Sequence, residues 1–122
     1  MRNKKLFRLL LVMGIMCSTV FVFGSQVFDY GDYATLEGRY YNGIASVYVT
    51  NTSNIPRYIT ASVKGNGSVI SSTGHNTSAS GGMVAIEGVS AAAYNTVYGH
   101  ATIYNSSAPA SGYVEYLEKR IK

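Results

Sequence analysis

The stretch Leu36-Glu37-Gly38-Arg39-Tyr40-Tyr41-Asn42-Gly43-Ile44-Ala45-Ser46-Val47-Tyr48-Val49-Thr50-Asn51 decides the fold. Asn42-Gly43 suits the two central positions of a type I′ turn, where both residues need positive φ. Residues 36–41 lead into the turn and residues 44–51 lead out. On the outgoing side Ala45, Val47 and Val49 share one face, and Ser46, Tyr48 and Thr50 share the other. That period of two marks a half-buried strand, so the segment predicts a β-hairpin with one face in a core.

The same grammar extends outward. Residues 57–64 predict a strand with Ile59, Ala61 and Val63 inward. Gly65-Asn66-Gly67 reads as a three-residue turn, residues 68–73 as the returning strand, and residues 74–82 as a polar loop. Residues 83–90 form a weakly patterned strand. Residues 91–105 carry the longest alternation: Ala93, Val97, Ala101 and Ile103 on one parity, Tyr94, Tyr98, His100 and Tyr104 on the other. In residues 113–121, Val114, Leu117 and Ile121 with a Glu115/Lys119 pair fit a helix, while Tyr113, Glu115, Leu117 and Ile121 fit a strand; the β surroundings favour the strand. The whole predicts an all-β domain, a small antiparallel sandwich or barrel of about six to eight strands, since such sheets need a second layer to bury one face. Asn51-Thr52-Ser53 up to Pro56 is echoed by Asn105-Ser106-Ser107 up to Pro109. This either marks two equivalent loops at one end of the fold or reflects the residues that commonly end strands.

The chain begins differently. Arg2, Lys4, Lys5 and Arg8 precede an apolar run, and Gly24 and Ser25 close it before the sequence turns polar. These are the three parts of a secretory signal, predicted to span residues 1–24. An uncleaved membrane anchor is the alternative, but the charge-free run from Leu9 to Gly24 has 16 residues, short of the roughly 20 that span a bilayer. Cys17 lacks the Leu and the Gly or Ala that a lipidation signal places before its cysteine, so it reads as filler. N-terminal sequencing of protein from culture medium is expected to begin at Ser25 or Gln26; intact chain starting at Met1 in membranes would contradict the signal. The short lysine-rich start points to a bacterial source, and the secreted domain is residues 25–122.

That domain carries six basic residues (Arg39, Arg57, Lys64, Lys119, Arg120, Lys122) and six acids (Asp29, Asp32, Glu37, Glu87, Glu115, Glu118), a net charge of 6 − 6 = 0. The basic pI of the full chain belongs to the signal, so there is no electrostatic case for nucleic acid, and near-neutrality permits self-association. Without a cysteine after residue 24, stability must come from burial and backbone pairing. Leu, Ile, Val, Met and Phe number only 20 in residues 25–122, and the eleven tyrosines are expected to supply the missing apolar area.

No catalytic motif stands out. His75 falls in the expected polar loop and His100 on the tyrosine-bearing parity, neither with the companion ligands that zinc needs. There is no Gly-x-Ser-x-Gly elbow. Glu37 and Glu87 could form a glycosidase pair, but both fall in strands, where a Glu on the solvent face is the common case. Asp29 and Asp32 are too few for a calcium loop and read as part of a solvated N-terminal tail. Gly65 and Gly67 precede no helix and match no phosphate loop. Asn51, Asn66, Asn76 and Asn105 head Asn-x-Ser/Thr sequons, expected by chance in so Asn/Ser/Thr-rich a chain. No enzyme activity, metal or cofactor is expected.

The tyrosines are the informative set. Tyr48, Tyr94, Tyr98 and Tyr104 fall opposite the aliphatic parity, and such rings either present a contact surface for glycan, cell wall or protein or stabilise the sheet by cross-strand pairing. In size, export signal and Tyr/Ser/Gly/Asn content the chain loosely resembles small secreted β-sandwich bacteriocins of the lactococcin type, a resemblance that implies a toxin but carries no site residues. The expectation is a secreted, non-enzymatic β-sandwich that binds a cell-surface, glycan or protein partner. The alternatives are a bacteriocin-like toxin and a self-assembling extracellular structural protein.

Overall fold

A computed structural model of the chain describes residues 24–122; the predicted signal, Gly24 aside, lies outside the described residues. Eight strands follow one another: β1 (Gly24–Tyr30), β2 (Ala34–Tyr41), β3 (Ile44–Asn51), β4 (Arg57–Gly65), β5 (Ser68–Thr77), β6 (Met83–Ser90), β7 (Val97–Tyr104) and β8 (Tyr113–Arg120). They form two four-stranded antiparallel sheets, β1-β2-β3-β6 (sheet A) and β5-β4-β7-β8 (sheet B). The fold is a β-sandwich.

The β2–β3 hairpin is as the sequence predicts. Tyr41 pairs with Ile44, and Asn42 and Gly43 take φ of 52° and 84°. The second hairpin differs. Gly65 pairs with Ser68, which leaves a two-residue turn with φ of 50° at Asn66 and 89° at Gly67. A three-residue turn would adjust to a side chain; this one cannot without strain. Gly67→Val is therefore expected to cost about 1–3 kcal/mol from the backbone alone, with open space around the new side chain. Gly43→Val is expected to cost more, because a Cβ there lies 3.2 Å from the Cβ of Ala92. Denaturant midpoints of the two variants give the order, and an unchanged midpoint for Gly67→Val would contradict the turn.

Three other boundaries correct the sequence reading. The presumed N-terminal tail is strand β1, and Asp29 within it accepts a bond from the Glu118 amide. Strand β5 runs on to Thr77, so His75 sits in a strand opposite Ile59 rather than in a loop. Strand β7 begins only at Val97, because residues 91–96 form a turn that carries the chain from sheet A to sheet B, and Ala93 is exposed there. The C-terminal segment is a strand: Glu115 bonds not Lys119 but the amides of Asp32 and Tyr33 in the β1–β2 turn, at 2.6 and 2.8 Å.

The core lies between the sheets and is aliphatic. Leu36, Val47, Val49 and Val84 of sheet A meet Ile59, Val63, Val97 and Ile103 of sheet B, and Leu117 and Ile121 close one side. No tyrosine among the described residues is buried; Tyr33, Tyr40 and Tyr94 only pack against the margin of this core. The apolar area expected of the tyrosines is thus supplied to the core only at its margin, by these three rings. Sheets about 10 Å apart suit interdigitated Val, Ile and Leu, whereas a buried phenol would need a partner for its hydroxyl.

One end of the sandwich is closed by a polar plug. Asn51 is fully buried. Its Nδ2 donates to Ile55 O, Thr77 Oγ1 and Ser78 O, and its Oδ1 accepts from the Ser53 amide and hydroxyl. The buried Arg57 donates from Nε to Ser53 Oγ and from Nη1 to the carbonyls of Tyr104 and Asn105, under the ring of Tyr33. The two echoed loops therefore do lie at one end. They are not equivalent, since Asn51 is sealed in and Asn105 is exposed. The sequon at Asn51 has no room for a glycan.

Candidate functional site

Strict alternation writes the outer face of sheet B. Ile59, Ala61 and Val63 of β4 point into the core, so Tyr58, Thr60, Ser62 and Lys64 point out; on β7, Tyr98, His100, Thr102 and Tyr104 do the same. Register turns these into rows. Lys64, Tyr98 and Arg120 form one row, Ser62, His100 and Glu118 the next, then Thr60, Thr102 and Tyr116. The last row holds Tyr58, whose ring meets Tyr104 edge-on at 5.5 Å, and Tyr113 paired opposite Tyr104. Five tyrosines and a histidine thus share one face. Tyr113 and Tyr116 are 65% and 52% exposed.

The centre of the face is fixed by a hydrogen-bonded chain. Ser62 Oγ lies 3.2 Å from His100 Nδ1, and His100 Nε2 meets the Tyr116 hydroxyl. The His100 and Tyr116 rings stand edge to face at 4.4 Å. A neutral imidazole donates from one nitrogen and accepts at the other, so either tautomer completes the chain. Burial and the charge of Lys64 hold His100 below its ordinary pKa, against an opposing pull from Glu118. Arg57 supports the face from beneath, since its bonds to the Tyr104 and Asn105 carbonyls fix the end of β7 from which Tyr104 projects.

The four tyrosines singled out by sequence therefore separate. Tyr98 and Tyr104 lie on this face. Tyr48 lies on the outer face of the other sheet. There its ring carries the Arg39 guanidinium at 4.7 Å, and its hydroxyl donates to Glu87 at 2.6 Å. Tyr94 lies in the β6–β7 turn, with its ring over Gly65, where an added Cβ would lie 2.6 Å from the ring. Its expected place with Tyr98 and Tyr104 on one strand face fails because residues 91–96 are not strand. Sequence reasoning missed Tyr58, Tyr113 and Tyr116. The signal for Tyr58 was at hand, since placing Ile59, Ala61 and Val63 inward places Tyr58 outward. For Tyr116, the strand reading of the C-terminus puts it opposite Leu117.

On the outer face of sheet A the groups around Tyr48 are engaged with one another, while Tyr30 stacks on Phe28 at the β1 edge and stays exposed. Glu37 accepts from Gln26 Nε2 and, at 2.6 Å, from Arg39 Nε. Burial is the largest single influence on Glu37 and raises its pKa, but the bonds from Arg39 and Gln26 and the charge of Arg39 together hold the carboxyl below its ordinary value. The bond to Glu87 and burial push the Tyr48 phenol up. Among the described residues, no group of three His, Cys, Asp or Glu side chains could hold a metal ion, and no helix is long and apolar enough to cross a membrane. No family model, curated protein or solved structure matches the chain.

Proposed function

We propose that the protein is a secreted, non-enzymatic module that binds a cell-wall or cell-surface glycan on the outer face of sheet B. One observation carries the reading: the core is filled by aliphatic residues, yet five tyrosines gather on a single exposed face. None of those rings belongs to the core; Tyr113 and Tyr116 are exposed and Tyr58, Tyr98 and Tyr104 half-buried beside them, and aromatics gathered on one surface mark a contact site. Their geometry suits sugars. Phenol rings offer stacking area to the apolar face of a pyranose, and the phenol, Thr60, Thr102 and His100 groups between them supply hydrogen bonds to its hydroxyls.

Chemistry on the same face is poorly supported. Ser62 and His100 resemble a nucleophile and its base, but Ser62 is buried and both sit on interior strands. The amides of such strands are engaged in the ladder, so no spare pair can stabilise an oxyanion. Glu37 fails as a general acid, which needs a raised pKa, because Arg39 and Gln26 pull it down.

The test is co-sedimentation of the purified domain, residues 25–122, with isolated cell walls and insoluble polysaccharides, beside a growth-inhibition assay on neighbouring bacteria. Retention on polysaccharide stripped of protein supports the glycan reading. Retention only on protein-bearing walls points to a protein partner, and growth inhibition without retention points to the toxin.

A further inference from the structure

The two long sides of the sandwich are built differently. On the side of β1 and β8 the sheets are stitched together: Ser25 Oγ donates to Ile121 O, Asp29 accepts from the Glu118 amide, and Glu115 caps the β1–β2 turn. The other side is bordered by β6 and β5. Among the described residues, β5 pairs with β4 alone.

Sheet edges are normally guarded by charge, proline or a bulge. Strand β8 carries Glu115, Glu118, Lys119 and Arg120. Strand β1 carries Asp29, and β6 carries Glu87 beside Gly88 at φ 75°. Strand β5 has none of these along most of its length. It is the longest strand, ten residues of sequence SVISSTGHNT, with no Lys, Arg, Asp, Glu or Pro. Its single irregularity lies near the turn, where the register shifts between Val63 and Lys64. From Ser71 to Thr77 the pairing with β4 is regular, residue against residue, so the outer edge offers seven residues of straight, uncharged backbone.

We infer that two copies of this chain pair antiparallel along β5, fusing their B sheets into one eight-stranded sheet. An antiparallel strand is its own complement about a two-fold axis, so a single sequence satisfies both sides of the joint. The occupant is a second copy because neither long-range nor local charge opposes it: residues 25–122 carry no net charge and β5 carries none. With the axis at Gly74, the middle of the regular stretch, Ser72 of one copy lies opposite Asn76 of the other. Ser72, Gly74 and Asn76 are also the residues that β5 presents on the tyrosine face. They are small and polar, so the two tyrosine faces adjoin without a ridge. This consequence rests on the glycan reading: two faces on one rigid sheet would engage a repeating polymer bivalently, with avidity well above one face alone.

Sedimentation velocity of residues 25–122 without ligand, from about 1 to several hundred micromolar, tests the pairing. Wild type is expected to shift from monomer to dimer mass. Ser72→Lys/Asn76→Lys and Ser72→Glu/Asn76→Glu are each expected to stay monomeric with native circular dichroism, and an equimolar mixture of the two is expected to regain the dimer. Monomeric wild type throughout the range would overturn the inference. So would dimers of the Lys variant equal to wild type, or a mixture that stays monomeric. Polysaccharide binding by the monomeric Lys variant is read separately. Retained but weaker retention on polymer is expected of it, and complete absence of binding by wild type and variant would sink the glycan reading while leaving the dimer standing.

Discussion

Asn51→Asp is expected to destabilise the domain by about 3–5 kcal/mol, a large part of the 5–15 kcal/mol that holds a domain of this size. The change barely alters volume, so packing is not what is lost. It replaces the Nδ2 donor with an oxygen that faces three other oxygens, on Ile55, Thr77 and Ser78. An ionised Asp would also be a fully buried charge. Its neighbour Arg57 turns its guanidinium to Ser53 and to the Tyr104 and Asn105 carbonyls, not to Asn51. Each buried polar group left without a partner costs about 1–3 kcal/mol. Thr77→Val removes one acceptor of Asn51 and the donor to Arg57 O at 2.7 Å, and is expected to cost about 1–3 kcal/mol by the same reasoning. Urea unfolding of the two variants against wild type measures both. A loss below 1 kcal/mol for Asn51→Asp would show that the plug is not satisfied through Nδ2.

Sequence legibility divided along physical lines. Wherever side chains alternate between core and water, the period of two wrote the strand and its inward face directly, as in β3 and β4. Asn-Gly wrote the first turn, and the same pair at Asn66-Gly67 wrote a second that the flanking Gly65 disguised as a longer loop. Alternation was misleading where it continued by accident: Ala91 to Thr96 mimics the start of β7, but the chain must there cross from one sheet to the other, and that crossing is a tertiary requirement no local pattern records. Strand β1 was hidden because its polar and aromatic residues, Gln26, Phe28 and Tyr30, face solvent and only Val27 packs on the core. The Asn51 plug was invisible for a related reason. Asn, Ser and Thr after a strand ordinarily announce an exposed turn, and only the convergence of the 51–57 and 77–82 segments turns them into a buried network. The candidate site was half legible. Parity identified Tyr98 and Tyr104 as outward-facing, but which strands lie side by side, and therefore that Tyr58, Tyr113 and Tyr116 join them while Tyr48 and Tyr94 do not, is decided by sheet order.

That sheet order makes Tyr94 the internal contrast for the binding face. Tyr104→Ala and Tyr116→Ala are each expected to weaken retention on polysaccharide roughly tenfold, about 1.4 kcal/mol, the scale of an aromatic contact residue. Tyr116 is half exposed but bonds and packs edge-on against His100, so its removal is expected to cost up to about 1 kcal/mol as a lost cross-strand pair. Tyr104 touches Tyr58 edge-on and stands over the strand end held by Arg57, so its removal is expected to cost up to about 1 kcal/mol as a lost cross-strand pair. Tyr94→Ala is expected to behave oppositely: retention unchanged, and stability lowered by about 1–3 kcal/mol as the ring leaves Gly65 and the core margin. Tyr48→Ala, on the other sheet, is expected to leave retention unchanged as well, while freeing Glu87 and Arg39 from the ring. Rings that only braced the sheet would give the other pattern, with stability falling for Tyr104 and Tyr116 and retention following stability in every variant. Retention by Tyr104→Ala and Tyr116→Ala equal to wild type, at temperatures where all variants are folded, would remove the sheet-B face from consideration. Loss confined to Tyr48→Ala would move the site to the Glu37, Arg39 and Glu87 surface of sheet A, where the aromatic ring is already flanked by two carboxylates and a guanidinium.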